Sequence, residues 1–461
     1  MIRLFRHYFP RSLFILGLLE IAILFLSAVL AWRFRMYQID GTASISGRLP
    51  ELCVYAFTMY VLMLGVGAYQ LSSFRSARST GARVLLAFVL GILILSAGFF
   101  LFPTLELWRS VLFYAVIISL VLIFFVRFVF LSLIGFRRFR QPIIVVGAGE
   151  RGQRMVDLSL EETSGFRIAE HFSVGRGEDV VPNCPRLAEL GSLADFCLDN
   201  DVEEIVLALD ERRGALPSKQ LLEAKLSGVR VIDKTTFLER MTGRVDLATV
   251  TPSWLIFSDG FGAGSSTLSL VAKRLFDIVT SLTLLIGSSP VLLIAAIGVR
   301  LSGPGPIFYR QERVGQFGRI YSIMKFRSMV VDAERDGAVW AQAADPRVTR
   351  FGRIIRSTRI DEIPQIFNVL RGDMSFVGPR PERPMFVDEL TESIPLYAER
   401  HIVKPGITGW AQLNYPYGAS LEDARHKLEY DLYYIKNYSL LLDLSILIQT
   451  ARVVIWQDGV R

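Results

Sequence analysis

Four long apolar runs, at residues 13–32, 52–71, 84–102 and 110–134, set the first limit on this fold. Each is near or above the ~20 residues that a helix needs to cross a bilayer. A four-helix transmembrane domain over residues 1–140 is therefore expected. The first run has too long an apolar core for a cleaved signal peptide and reads as an anchor. The chain has a formal net charge of +7, and residues 1–140 hold 14 Arg and no Lys against 4 acids. An excess confined to the most apolar third is topology charge rather than a nucleic-acid face, so nucleic acid is not expected as a partner. Arg3, Arg6, Arg11, Arg75, Arg78, Arg83, Arg137, Arg138 and Arg140 fall on one side of the expected membrane. Arg33, Arg35, Arg48 and Arg109 fall on the other, which puts both ends of the domain in the cytoplasm. Arg127, near the cytoplasmic end of the fourth run, is expected to snorkel. Cys53, Cys184 and Cys197 have no CxxC spacing and the four histidines are scattered, so neither a disulfide framework nor a His-based metal site is indicated.

After Arg140 the pattern changes to the buried-strand run Ile143-Ile144-Val145-Val146, which opens into Gly147-x-Gly149-x-x-Gly152 and a helical pattern. Further strand patterns at 204–209 and 229–233 make a Rossmann-like parallel α/β module over residues 141–240. The glycine turn is a candidate cofactor-binding site, but a dinucleotide wants an acid ~20 residues on, at the end of the next strand, and Glu170 sits inside its strand pattern. The Gly-, Ser- and Thr-rich residues 241–267 read as a linker.

Residues 268–461 form the expected catalytic domain. It begins with an uncharged segment, about 272–300, flanked on both sides by basic residues, with Ser288-Ser289-Pro290 at its middle. Proline removes a backbone donor and serine caps the freed groups, so Ser289 and Pro290 are expected to break the segment into a re-entrant hairpin. A straight fifth crossing is the plainer alternative.

Arg347, Arg350, Arg353, Arg356 and Arg359 recur every third residue with Phe351, Ile354 and Ile355 between them, the pattern of an interfacial helix or of a solvated charged face. Asp361-Glu362-Ile363-Pro364-Gln365 then places two acids at the start of an expected helix, Gln365–Leu370, closed by Gly372. The acids either cap that helix or, set against so many arginines, hold a divalent cation and phosphate together. Gly378-Pro379-Arg380-Pro381 forms a turn that aims Arg380 at an anion. The aromatic stretch 430–438 and the apolar helix 444–456 read as core, or as the wall of a lipid channel.

The runs Gly303-Pro304-Gly305-Pro306-Ile307-Phe308-Tyr309-Arg310-Gln311-Glu312-Arg313-Val314-Gly315, Met324-Lys325-Phe326-Arg327-Ser328-Met329, Asp361-Glu362-Ile363-Pro364-Gln365, Val377-Gly378-Pro379-Arg380-Pro381 and Lys404-Pro405-Gly406-Ile407-Thr408-Gly409-Trp410, with Asp277 and Ser289-Pro290, closely resemble the bacterial sugar transferases. These are the polyprenyl-phosphate hexose-1-phosphate, or monotopic phosphoglycosyl, transferases. The resemblance is to their long form, and it implies a membrane protein with a four-helix unit, a Rossmann-like module and a mainly helical catalytic domain. It further implies transfer of sugar-1-phosphate from a nucleoside-diphosphate sugar, a UDP-hexose, to polyprenyl phosphate with release of UMP. The site would face the cytoplasm at the bacterial inner membrane, and the step would start exopolysaccharide or O-antigen-type glycan assembly. By position Asp361 corresponds to the nucleophile and Glu362 to its partner, with Mg2+ on the pair. Lys325 and Arg380 are the phosphate-holding candidates, supported by Arg327 and Arg356. Which sugar is used, and whether the chain self-associates into a homo-oligomer, stay open.

Two other readings compete. A membrane-bound NAD(P)-dependent nucleotide-sugar oxidoreductase is suggested by the glycine turn and by Tyr321-x-x-x-Lys325. A non-catalytic scaffold would make the acids and arginines structural.

Overall fold

The computed structural model of the chain describes residues 2–4, 7–9, 11–40, 47–69, 77–138, 140–160, 165–175, 179–210, 216–247, 250, 260–261, 267–330, 345–416, 418 and 420–456. Two compact units emerge, Met1–Ile2 with Phe9–Thr242 and Arg3–Tyr8 with Gly243–Arg461. A short strand pair, β1 (Ile2–Leu4) and β2 (His7–Phe9), comes first.

The first unit opens with helices α1 (Arg11–Asp40), α2 (Leu49–Gly65), α3 (Ala77–Leu101) and α4 (Arg109–Arg138). By length and composition α1, α3 and α4 can cross a membrane through Leu13–Ile39, Thr80–Leu101 and Arg109–Phe130. The second predicted span, 52–71, is shorter than expected: α2 has 17 residues and yields to a turn in which Gly67 takes a φ of 74°. The snorkelling expected of Arg127 is overturned. It is 2% exposed, and its Nε and Nη2 donate to the two carboxylate oxygens of Glu20, on α1, at 2.6 and 2.9 Å. Its Nη1 donates to the Ala68 carbonyl at 3.1 Å. A bidentate acid on a neighbouring helix satisfies the guanidinium locally, which removes the reason to reach for water.

The same unit carries a four-stranded parallel sheet of β3 (Gln141–Val146), β4 (Phe166–Phe172), β5 (Glu204–Leu207) and β6 (Arg230–Asp233), in spatial order β4-β3-β5-β6. Ile143 to Val146 are fully buried because both faces are covered, which is why the run is continuously apolar rather than alternating. Ile144 and Val146 pack with Leu193 and Cys197 of α6 (Leu193–Asp199) and Leu221 of α7 (Ser218–Leu226). Ile143 and Val145 pack with Met155 of α5 (Glu150–Leu160) and Phe237 of α8 (Lys234–Thr242).

The second unit begins earlier than the sequence suggested. Residues 243–247, read as linker, are packed: Val245 is fully buried and its amide donates to the Glu429 carbonyl, and the Gly243 carbonyl accepts from Trp410 Nε1 at 2.7 Å. Backbone pairing of this kind leaves no mark in a Gly- and Thr-rich composition. The core gathers Val245, Phe376, Val377, Trp410, Leu432, Tyr433 and Tyr434. The aromatic stretch 430–438 is therefore largely core, on α12 (Leu421–Lys436), with α13 (Leu440–Trp456) packed alongside through Leu442 and Ile446.

Helix α9 (Thr267–Leu301) is one continuous helix of 35 residues with Pro290 inside it. The expected break at Ser289 and Pro290 is thus no interruption of helical structure. The missing N–H of Pro290 frees the Ile286 carbonyl, and Ser289 Oγ donates to that oxygen at 2.8 Å, while Ser288 Oγ donates to the Leu284 carbonyl at 2.6 Å. Both halves of α9 are held by the second unit. Lys273 Nζ lies 2.7 Å from Asp443 and 3.1 Å from Asp277, whose Oδ1 accepts from the Phe376 amide and from Ser375 Oγ. Arg274 donates to the Val369 and Leu370 carbonyls at 2.6 Å each. Beyond the proline, Ala295 and Val299 pack with Phe326 and Ile355, and a Cβ on Gly298 would strike the Phe351 ring at 2.2 Å. Between these anchors Leu282, Ile286, Leu293 and Ile294 are exposed.

Candidate active site

Strands β7 (Phe308–Val314) and β8 (Ile320–Phe326) pair antiparallel with Lys325 opposite Tyr309. Helix α10 (Arg350–Ser357) is capped by Thr349, whose side chain accepts from the Gly352 amide. The five-arginine ridge does not survive as one helix face. Arg347 precedes the helix and pairs with Asp345 at 2.6 Å, while Arg350 and Arg353 are exposed beside the exposed Ile354. Arg356 Nε donates to Ser328 Oγ at 2.9 Å. Arg359 lies beyond the helix in a left-handed conformation, φ 58°, which turns the chain toward the acids.

Asp361 and Glu362 sit on a 3-10 turn, Ile360–Gln365, ahead of α11 (Ile366–Arg371), not at the start of a helix beginning at Gln365. Pro364 has no N–H to continue an α-helical ladder inward, so the tighter turn precedes it. At about three residues per turn the two side chains diverge by about 120°. The closure by Gly372 is as expected, with φ 100°.

The divergence gives the acids different surroundings. Glu362 Oε1 accepts from Lys325 Nζ at 2.8 Å and Arg380 Nη2 at 3.0 Å, and Arg359 stands 3.9 Å from Oε2. Burial alone would raise its pKa, but Lys325, then Arg380 and Arg359, outweigh burial and hold the carboxyl well below its usual range. Asp361 is 7% exposed, and among the described residues no hydrogen bond reaches its carboxylate. Burial first and the Glu362 charge second push it up to about 6, against the opposing pull of Lys325, Arg356 and Arg359. The Lys325 ammonium is itself lowered by burial, which Glu362 partly opposes. One acid is pinned and ionised; the other is largely buried and has no hydrogen bond to its carboxylate among the described residues.

Arg380 arrives from the far side. Parallel strands β9 (Ser375–Val377) and β10 (Gly406–Thr408) run together, and a Cβ on Gly378 would meet the Lys404 carbonyl at 2.3 Å, so only glycine allows this crossing. The Arg380 carbonyl accepts from Arg400 Nη2 at 3.0 Å, and buried Arg400 is held by Asp431 at 2.8 Å and by the Tyr397 hydroxyl at 2.7 Å.

The structure thus brings together Asp361, Glu362, Lys325, Arg380 and Arg356, and adds Arg359, whose spacing three residues before Glu362 was the available signal. Arg327 is placed differently: its guanidinium donates to the Pro304, Gly303 and Val299 carbonyls at 2.6, 2.7 and 3.2 Å, closing the end of α9. Tyr321 and Lys325 lie on a strand, where four residues span about 13 Å. Gly147, Gly149 and Gly152 belong to the other unit. A short-chain dehydrogenase needs that Tyr and Lys on one helix, in the domain of its glycine turn, so the oxidoreductase reading loses both supports.

The bacterial sugar transferase profile matches residues 268–457, and a CoA-binding domain profile matches residues 65–223. The UDP-glucose:undecaprenyl-phosphate glucose-1-phosphate transferase of Escherichia coli (strain K12) is 43% identical over 321 residues, 65% of this chain and 67% of that protein. The chain belongs to the bacterial sugar transferase family. Within it, the UDP-N-acetylgalactosamine-undecaprenyl-phosphate N-acetylgalactosaminephosphotransferase of Aeromonas hydrophila is 49% identical over 189 residues, 41% of this chain and 45% of that protein. The UDP-glucose:undecaprenyl-phosphate glucose-1-phosphate transferase of Xanthomonas campestris pv. campestris is 37% identical over 279 residues, 59% of this chain and 57% of that protein. The matches to these last two sugar transferases span about half of their lengths.

Proposed function

We propose that this sugar transferase moves sugar-1-phosphate from a UDP-hexose to polyprenyl phosphate through a phosphosugar adduct on Asp361. The observation that carries the reading is the asymmetry of the acid pair. Asp361 is buried, makes no hydrogen bond among the described residues and faces Lys325 and Arg356, as a nucleophile awaiting a phosphoryl group would. Its carboxylate oxygen attacks the β-phosphorus as the bond to the bridging oxygen breaks, and UMP leaves with that oxygen. An oxygen of polyprenyl phosphate then attacks the same phosphorus and the carboxylate departs. Arg380 and Lys325 hold the phosphates, Glu362 sets the positions of both cations, and Arg356 supports from the side of Ser328.

Among the described residues no cluster of three His, Cys, Asp or Glu is available for a metal ion. A magnesium ion usually needs only one or two carboxylates plus substrate phosphates; Glu362 is engaged by Lys325 and Arg380, so of the expected pair Asp361 is the carboxylate that would hold it. Bound there, the ion would supply neutralisation of diphosphate charge.

We place the second unit on the cytoplasmic side of the bacterial inner membrane, a reading that the positive-inside bias of the arginines supports. The anchoring of both ends of α9 in one unit supports a helix that enters and leaves the same leaflet.

The test is UMP release from a panel of UDP-sugars, with mass spectrometry for an adduct formed on donor alone. Ping-pong kinetics are expected, with adduct and turnover both lost in Asp361→Asn. Glu362→Gln should still form the adduct and discharge it slowly. Intersecting double-reciprocal plots, or near-normal turnover by Asp361→Asn, would overturn the reading.

A further inference from the structure

The glycine turn of the Rossmann-like module is the one sequence motif that the proposed reaction leaves unused. A nucleotide phosphate at such a turn sits on the first amides of the following helix, and the glycines let it approach. In this chain that approach is occupied from within. A Cβ on Gly149 would lie 1.8 Å from Asp210 Oδ2, so the Asp210 carboxylate rests on the turn itself. Asp210 Oδ1 accepts from the Arg151 amide, in the first turn of α5, at 3.1 Å. The Arg151 side chain reaches over the same carboxylate at 3.8 Å and donates to the Leu209 carbonyl at 3.1 Å.

Contacts inside the chain account for the other two glycines as well. A Cβ on Gly147, φ 120°, would meet the Ala208 carbonyl oxygen at 2.6 Å. One on Gly152 would meet the Gly147 oxygen at 2.1 Å and His171 Nε2 at 2.9 Å. The Val180 and Val181 amides both donate to the Ala148 carbonyl, at 2.7 and 2.9 Å, which lays another segment across the turn. Where a dinucleotide would place its ribose, past the end of β4, Ser173 Oγ lies 2.8 and 2.7 Å from the two carboxylate oxygens of Asp179. Glu170 lies within β4, and its Oε1 accepts from the His171 amide at 3.1 Å.

We infer that the turn is a self-filled anion site, in which the Asp210 carboxylate takes the place of a nucleotide phosphate, and that the module binds neither a dinucleotide nor coenzyme A there. The residues do not fit the cofactor that the glycine pattern suggests, and the three glycines serve close packing of the chain on itself.

Two measurements on the full-length protein in detergent test this, neither of which depends on transferase activity. Gly149→Ala must push the carboxylate, the end of a partly exposed side chain, off the Arg151 amide, so it should lower the melting temperature of the wild type by about 1–2 °C. In an Asp210→Ala background the same change should cost less than half as much. Equal costs in the two backgrounds would overturn the inference. Titration of the wild type with ADP, NAD+ and coenzyme A to millimolar concentration should give no saturable thermal shift. A saturable shift that Gly149→Ala weakens would overturn it as well.

Discussion

Asp361→Asn should make this protein more stable and inactive at once. The substitution keeps the shape of the side chain, and it forfeits no hydrogen bond to the carboxylate among the described residues. What it removes is a buried negative charge beside Glu362, the two causes that carry the carboxyl from an ordinary 3.8 to about 6. At about 1.4 kcal/mol per pH unit, that distance corresponds to about 3 kcal/mol. The sign follows from linkage. The native state holds the Asp361 proton more tightly than the unfolded chain does, so this stabilisation is present below about pH 4 and is lost as pH rises through about 6. At pH 8 the wild type bears the whole cost and the asparagine variant does not. Melting curves in detergent should therefore place Asp361→Asn about 6 °C above the wild type at pH 8, with the gap closing toward pH 4. If the acid were a helix cap, its loss would lower the melting temperature instead. A variant that melts at or below the wild type at pH 8 would refute the account of a buried carboxylate that destabilises the fold when ionised.

Wild-type adduct formation should weaken about tenfold for each pH unit below 6, which single-turnover UMP release between pH 4.5 and 8 would register. Pro290→Ala restores a backbone donor to the Ile286 carbonyl and should favour straight insertion of α9. Cysteines introduced near Ser269 and Ser302 would then label from opposite sides of the membrane, whereas in the wild type both should label from the cytoplasm. Glu20→Gln or Arg127→Met alone should destabilise the helical unit by about 3–5 kcal/mol, and the double replacement by less than either, measured as thermal unfolding in detergent.

The sequence made visible whatever depends on residues close together in the chain. Ile143 to Val146 announce a strand covered on both faces, and Asp361-Glu362 with the Gly378 turn mark out the candidate site, because each lies within one short run. Effects that depend on a distant partner were not visible. Arg127 looked free to snorkel because Glu20, 107 residues away, leaves no local trace. Asp210 closes the glycine turn from the end of another strand, and Val245 joins the core with its side chain buried and its amide bonded to residue 429. The arginine ridge misled for a different reason: a regular spacing of three suggests one helix, but the chain leaves that helix at Thr358 and turns left-handed at Arg359.

The clamp at the start of α9 also imposes an order on biosynthesis. Lys273 is buried against Asp443, which emerges from the ribosome about 170 residues later. At 5–20 residues per second, that is an interval of about 10–30 s. Throughout it the nascent helix carries a lysine without that partner and an apolar midsection without a finished unit to hold its ends. Helix α9 therefore cannot reach its final seat co-translationally in the order of its own residues. Truncation anywhere before residue 443 should leave it unseated, at the membrane surface or as a target for quality-control proteases.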